Sequence, residues 1–227
     1  MYEFKIDGPA LKKGIPLHIT VSALDNFQSI IDKTFLVYNN SKKLSPQNRD
    51  KFQLKAQSFT RGSFITHFEI ILADAQLMLP LIAALCPQNI WDYAKSAFNL
   101  LKLVCGGIQN GQKPSYQYNN NGDVNVTIGN TKNNFYGQVI QIGQSVLTDY
   151  QGLTSLIKSG KLDHISAGYK NCKEPDISLG KNDINTFDIP TKIQKEHIEI
   201  DCEIFDFNKY REIIYKGQKS SYSNWKI

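Results

Sequence analysis

The sequence lacks the residue spacings that mark most catalytic and metal sites. It contains no His-x-x-x-His, Cys-x-x-Cys or Gly-x-Ser-x-Gly pattern, and such patterns place metal ligands or a nucleophile on one local element. The four histidines lie far apart, at His18, His67, His164 and His197. We therefore expect no catalytic residue, no metal site and no cofactor. The alternative is a site assembled from residues that are distant in the sequence.

Cysteine is sparse as well, with Cys86, Cys105, Cys172 and Cys202 widely separated along the chain. The segment 1–7 alternates charged and apolar side chains, so it lacks the apolar run that a secretion signal needs. Isolated cysteines in a cytoplasmic chain are most simply reduced, buried thiols. The sequence therefore predicts a cytoplasmic protein without disulfides.

The charge is nearly balanced, because 26 basic and 21 acidic residues give a formal net charge of +5. Most of the excess lies in the first 60 residues, where Lys12, Lys13, Lys42 and Lys43 could contact phosphates and Tyr38 could stack on a base. Arginine, the usual reader of base edges, occurs three times in the chain. Nonspecific nucleic-acid contact is therefore an alternative, and solvated lysines are the simpler interpretation.

Apolar periodicity predicts the elements of the N-terminal half. Alternating apolar residues indicate strands, and apolar residues at steps of three and four indicate an amphipathic helix. The predicted elements are a strand at 2–6, a helix from about 20 to 38, a β-hairpin with strands at 52–56 and 64–70, and two packed helices at 70–86 and 90–105.

The block 70–105 is the most apolar part of the chain. A membrane-spanning helix needs about 20 predominantly apolar residues, whereas Asp74 and Pro80 interrupt the first predicted helix and Asp92 and Lys95 the second. We therefore expect no integral membrane segment. The block is predicted to form a buried helical hairpin with a face that could support self-association.

The polar run at 109–123 predicts a boundary between 1–112 and 113–227, two halves that may share one core. Beyond it, the pattern predicts strands at 124–128, 135–142, 164–169 and 198–204, a helix at 146–157 closed by Gly160, and a loop at 170–191. The predicted fold class is α+β: strand, helix, hairpin and helical hairpin, followed by a strand-rich half with one helix.

Two further segments have the composition of functional sites. Glu199, Asp201 and Glu203 share one face of the last predicted strand, where carboxylates about 7 Å apart can do acid–base work or bind a hard cation. A solvated face is the simpler interpretation. The glycine-rich segment 106–111 resembles a phosphate loop in composition, but phosphates bind at helix N-termini. This segment follows a helix, so Gly106-Gly107 is predicted to be a C-terminal cap.

Several short segments resemble an uncharacterised family found in bacteria and in prophages or other mobile elements. They are Phe-Lys-Ile-Asp-Gly-Pro-Ala-Leu at 4–11, the hairpin around Gly62-Ser63-Phe64, and Asn-Gly-Asp-Val-Asn-Val-Thr-Ile at 121–128. The resemblance covers about residues 1–168 and brings no catalytic residue with it. It implies a cytoplasmic protein that acts in phage–host conflict.

These observations lead to three expected functions. The first is a non-enzymatic binding or scaffolding protein that self-associates or binds a protein partner, in bacterial defence or phage counter-defence. The second is an enzyme or small-ligand sensor, for a nucleotide for example, with a site built from dispersed residues. The third is a nonspecific nucleic-acid accessory protein that uses the N-terminal lysines.

Overall fold

The structure is a computed structural model that describes residues 1–11, 16–44, 49, 52–60, 64–72, 87–189, 202–205 and 212–215. Contacts between Cα atoms divide the chain into two compact units, Met1–Ile189 and Pro190–Ile227. The described part has an α+β fold, as predicted. The boundary predicted after residue 112 lies inside the first unit, where strands from both sides of it pair in one sheet.

The described part of the first unit contains three long helices and eight strands. In chain order they are β1 (Tyr2–Asp7), α1 (Leu17–Tyr38), β2 (Phe52–Thr60), β3 (Phe64–Leu72), α2 (Pro87–Gln109), β4 (Ser115–Tyr118), β5 (Asp123–Ile128), β6 (Thr131–Tyr136), α3 (Gly137–Lys158), β7 (His164–Tyr169) and β8 (Ile177–Gly180). No helix in the described residues is long and apolar enough to cross a membrane.

Five antiparallel strands form the larger sheet, in the order β2–β3–β1–β7–β8. Strand β1 buries Tyr2, Phe4 and Ile6, so the predicted alternation is confirmed. The buried face packs against the helices: the ring of Phe4 lies 4.5 Å from that of Phe27 in α1, measured between centroids. The predicted hairpin is confirmed for its strands, while its turn at 61–63 lies outside the described residues.

Helix α1 packs along α3, and α3 also packs against α2. The apolar stripe that predicts α1 is confirmed, because Phe27, Ile31 and Phe35 are buried. The helix begins after Pro16 and ends at Tyr38, and Asn40, just after the cap, has the positive φ of 49° that turns the chain out of the helix. Helix α3 ends in the same way at Lys158 and is closed by Gly160, with a φ of 70°, as predicted.

Helix α2 contains the second predicted apolar helix and buries Trp91 and Phe98. The first predicted helix is wrong at 70–72, which belong to β3, and the rest of it, 73–86, lies outside the described residues. The predicted cap at Gly106-Gly107 is wrong, because α2 continues through both glycines to Gln109. The cap is at Gly111, with a φ of 75°, where the Gln112 N–H donates to the Gly107 carbonyl at 2.9 Å.

The smaller sheet consists of β4, β5 and β6, which form an antiparallel meander between α2 and α3. Strand β5 confirms the strand predicted at 124–128, whereas β4 lies within the polar run, for which the sequence predicts no strand. The predicted strand at 135–142 is wrong: β6 occupies 131–136, and α3 begins at Gly137. The apolar residues Val139 and Ile142 belong to the buried stripe of α3, which continues at Val146.

Strand β8 lies in the segment predicted to be a loop at 170–191, and that prediction is corrected. In the second unit, β9 (Cys202–Phe205) and β10 (Glu212–Tyr215) pair antiparallel. The predicted strand at 198–204 is described only from Cys202 onward. Strand β10 had no prediction.

The adjacent glycines of α2 test the packing of α2 on β5. A Cβ atom at Gly107 would lie 2.3 Å from the Cγ2 atom of Ile128, whereas one at Gly106 would meet nothing within 4 Å. Alanine favours the helix over glycine by up to about 1 kcal/mol, and overpacking costs about 1–3 kcal/mol. We expect Gly106→Ala to be neutral or stabilising and Gly107→Ala to be about 1–3 kcal/mol less stable than Gly106→Ala, as measured by urea denaturation. Equal stability of the two variants would contradict this packing.

Candidate functional site

The described histidines lie on different elements and make local contacts. The Nε2 atom of His164 lies 2.9 Å from the Ser178 hydroxyl, and that of His67 lies 3.4 Å from a carboxylate oxygen of Glu3. His18 is exposed near the start of α1, and His197 lies outside the described residues. Across the described ranges, no three His, Cys, Asp or Glu side chains form a group that could hold a metal ion.

The carboxylates predicted to share a strand face fall mostly outside the description. Glu203 lies in β9, opposite Ile214 of β10. Glu199 and Asp201 precede the described part of that strand. The predicted carboxylate face therefore stays a prediction.

The cysteines behave in two ways. Cys105 is a free, buried thiol, and burial raises its pKa to about 11, so the prediction is confirmed at this position. Cys172 is free but exposed, which corrects the prediction, because it lies in the turn after β7 where its N–H donates to the Tyr169 carbonyl. Cys86 and the side chain of Cys202 lie outside the description.

The basic residues of the N-terminal part are distributed unevenly. Lys42 and Lys43 are exposed after the end of α1, while Lys12 and Lys13 lie outside the described residues. Arg49 donates two hydrogen bonds, of 3.0 and 2.6 Å, to the carboxylate of Asp32. This arginine therefore has a structural partner, and a phosphate-binding group made of the four lysines stays a prediction.

The small sheet exposes a face rich in amide and hydroxyl groups. Val124, Val126 and Ile128 of β5 are buried against the helices, so the alternate residues of β5 and their cross-strand partners share the opposite face. These residues are Ser115 and Gln117 of β4, Asp123, Asn125 and Thr127 of β5, and Lys132, Asn134 and Tyr136 of β6.

Strand β4 is an exposed edge of this sheet. All four of its residues are exposed, and Tyr116 and Tyr118 keep 42% and 72% of their surface accessible. The strand pairs with β5 on one side, and among the described residues no strand pairs with its other side. Backbone N–H and C=O groups along that side are therefore available to a further strand.

A pocket of about 210 Å³ lies at the opposite edge of the sheet, between α2, β5, β6 and α3. We call it the Asp123 pocket. The residues that line it are Ser96, Asp123, Asn134, Phe135, Tyr136 and Val139. Hydroxyl, carboxylate and amide groups thus share a small space with aromatic and apolar side chains.

Asp123 is the hydrogen-bonding centre of this pocket. Its Oδ2 atom accepts hydrogen bonds from the side-chain amides of Asn121, at 2.9 Å, and Asn134, at 3.2 Å. No described residue donates to the Oδ1 atom. Both bonds are exposed, and among the described residues they leave Oδ1 as the oxygen that can accept a hydrogen bond from a ligand.

Three tyrosines form a row beside the pocket. The ring of Tyr93 lies 4.8 Å from that of Tyr38 and 6.1 Å from that of Tyr136, measured between centroids. Burial raises the pKa of Tyr93, and the nearby Tyr38 and Tyr136 raise it further, so the phenol is neutral at physiological pH. Tyr136 ends the row with 63% of its surface exposed.

Comparison with protein-family models, with curated protein sequences and with solved structures finds no match. The resemblance described above for residues 1–168 therefore stays a prediction. Sequence reasoning did not identify the Asp123 pocket, because its residues come from four elements. The one local signal is the amide-rich run at 119–125, which was interpreted as a boundary between halves.

The ion pair between Arg49 and Asp32 predicts a pH-dependent stability. Burial raises the pKa of Asp32, whose side chain is 11% exposed, and Arg49 lowers it by a smaller amount. Arg49→Gln removes the contribution that lowers the pKa of Asp32. The free-energy cost of keeping Asp32 ionised in the folded protein therefore rises. We expect the free energy of unfolding to fall by about 1 kcal/mol at neutral pH, after allowing for solvent screening at the exposed Arg49.

Protonation of Asp32 removes the need for a cation, so this loss should shrink as the pH falls towards the unfolded carboxyl pKa of about 4. Urea denaturation of both proteins across this pH range provides the measurement. Lys158→Gln is the matched control, because Lys158 and Asp188 are both 60% exposed and such pairs contribute little. A loss for Arg49→Gln that grows on acidification would refute this account.

Proposed function

We propose that this chain is a non-enzymatic binding protein that associates with a second copy of itself through strand β4. The observation that supports this proposal is the exposed edge of β4, which carries two accessible tyrosines. An edge strand continues its hydrogen-bond ladder when a further strand pairs with it, and side chains on alternate positions then supply specificity.

The sequence of β4 fits a copy of itself. The strand Ser-Tyr-Gln-Tyr carries no charge, so two antiparallel copies do not bring like charges together. A two-fold axis through Gln117 sets Tyr116 beside the second copy's Tyr118, and the same contact recurs on the other side of the axis. Aromatic cross-strand pairs contribute about 0.2–1 kcal/mol each.

The proposed interface is small. Stable complexes bury about 1,200–2,000 Å² in total, and two four-residue strands with their tyrosines bury less than that. The association is therefore weak and depends on protein concentration. The role in bacterial defence or phage counter-defence implied by the resemblance stays a prediction, and the alternative of a small-ligand sensor is favoured by the Asp123 pocket.

Sedimentation velocity over a range of protein concentrations tests the proposal. We expect the wild-type protein to shift from monomer towards dimer as its concentration rises, and Tyr118→Lys to suppress this shift by placing a charge at the edge. Leu17→Lys is the matched control, because Leu17 is an exposed apolar residue of α1. Circular dichroism should show all three proteins equally folded. A wild-type monomer at all concentrations, or a dimer that Tyr118→Lys leaves intact, contradicts the proposal.

A further inference from the structure

We infer that the Asp123 pocket binds a small, neutral, hydroxyl-rich ring of the size of a single pyranose sugar. The pocket lies at the β6 edge of the small sheet, away from the β4 edge, so this inference does not depend on self-association. It rests on the size of the pocket, the hydrogen-bonding groups that line it, the balance of charge around it and its aromatic wall.

The volume of the pocket suits a ligand of one ring. The pocket measures about 210 Å³ and is partly open to solvent. Pockets for drug-sized ligands measure about 300–1,000 Å³. A single sugar ring therefore fills the space, whereas most of a dinucleotide or of a peptide of several residues would lie outside it.

The polar groups of the pocket match a ligand with several hydroxyls. The free Oδ1 atom of Asp123 accepts a hydrogen bond from a hydroxyl, while the Asn134 side chain and the Ser96 hydroxyl can both donate and accept. Each sugar hydroxyl is likewise both donor and acceptor. Asn121 and Asn134 hold the carboxylate before the ligand arrives, which lowers the cost of ordering the site.

The charges around the pocket favour a neutral ligand. The carboxylate of Asp123 repels a phosphate, whereas the N-terminus of α3, which begins beside Tyr136, carries the positive end of the helix dipole. Within the described ranges, no side chain caps this helix end. Because the two contributions oppose each other, an anionic nucleotide gains less from the site than an uncharged ring does.

The tyrosines supply the apolar contact that a sugar ring also requires. The exposed Tyr136 lines the pocket, and Tyr93 lies nearly parallel to it at 23°. A sugar presents C–H groups on one ring face, and these can pack against an aromatic ring that has polar groups beside it. Tyr136 therefore defines one wall of the site, and Asp123 supplies its central acceptor.

NMR chemical-shift titration of the full chain tests the inference, with glucose, galactose and N-acetylglucosamine as probes and inorganic phosphate as the anionic comparison. Measurements are made at a protein concentration where sedimentation gives a monomer. We expect at least one sugar to give saturable shifts with a millimolar dissociation constant, which corresponds to a binding free energy on the order of −4 kcal/mol. Phosphate should give none.

Variants separate this pocket from other surfaces. We expect Tyr136→Ala and Asp123→Asn each to weaken the binding of that sugar about tenfold, equivalent to about 1.4 kcal/mol, and Tyr136→Phe to keep most of it. Asp188→Asn is the matched control, because Asp188 is an exposed carboxylate outside the pocket. The inference is overturned if no sugar saturates, if phosphate binds and the sugars do not, or if both pocket variants bind as the wild type does.

Discussion

The pairing of β1 with both of its neighbours is the constraint on which the rest of the fold depends. Residues 2–6 pair with β3, and residues 2–7 pair with β7. At the end of β1 the contact becomes backbone to backbone: the Asp163 N–H donates to the Asp7 carbonyl at 2.8 Å, and a Cβ atom at Gly8 would lie 2.6 Å from the Cα atom of Leu162. The large sheet is therefore complete only when the first residues pair with a segment more than 150 residues further along the chain. Its formation depends on non-local contacts.

Because the large sheet provides the main packing surface for the helices, the outer face and the edges of the small sheet remain at the protein surface. The buried face of the large sheet gives α1, α2 and α3 their packing partner, and α3 buries residues against both other helices. Gly143 lies close to Leu100 of α2, and Gly152 lies close to Asn26 of α1. The meander between α2 and α3 is then anchored through the buried side of β5. Strands β4 and β6 contain no fully buried residue, and Phe135 of β6 packs against the core only in part, so the other positions at both edges can serve binding.

The sequence predicts best those helices and strands that bury one face and expose the other. Strands β1 and β5, and β3 as far as Ile71, alternate between buried and partly exposed positions, and α1 has a continuous apolar stripe. Strand β4 alternates polar residues with tyrosines, but it has only four residues, all of them exposed, and it lies within a polar run. The segment Gln-Val-Ile-Gln-Ile at 138–142 mixes strand and helix periods, and its helical identity depends on residues one turn further along. A glycine such as Gly107 is typical of a helix cap. Here it lies inside α2, where the absence of a Cβ atom makes room for Ile128, a residue that is distant in the sequence.

The same reasoning explains why the candidate sites were missed. A residue that contacts a ligand or a second chain does not need to be buried in the monomer, so it breaks the periodicity by which sequence reasoning finds structure. Tyr136 and Tyr118 are exposed apolar rings at opposite edges of one sheet, and Asp123 lies in a run of amides that is typical of a loop. The structure shows what these residues share. Val124 and Val126 fix β5 against the helices, and this packing places both edges of the small sheet at the surface. In this chain the residues that pack predict the fold, and the residues that depart from the packing pattern carry the candidate function.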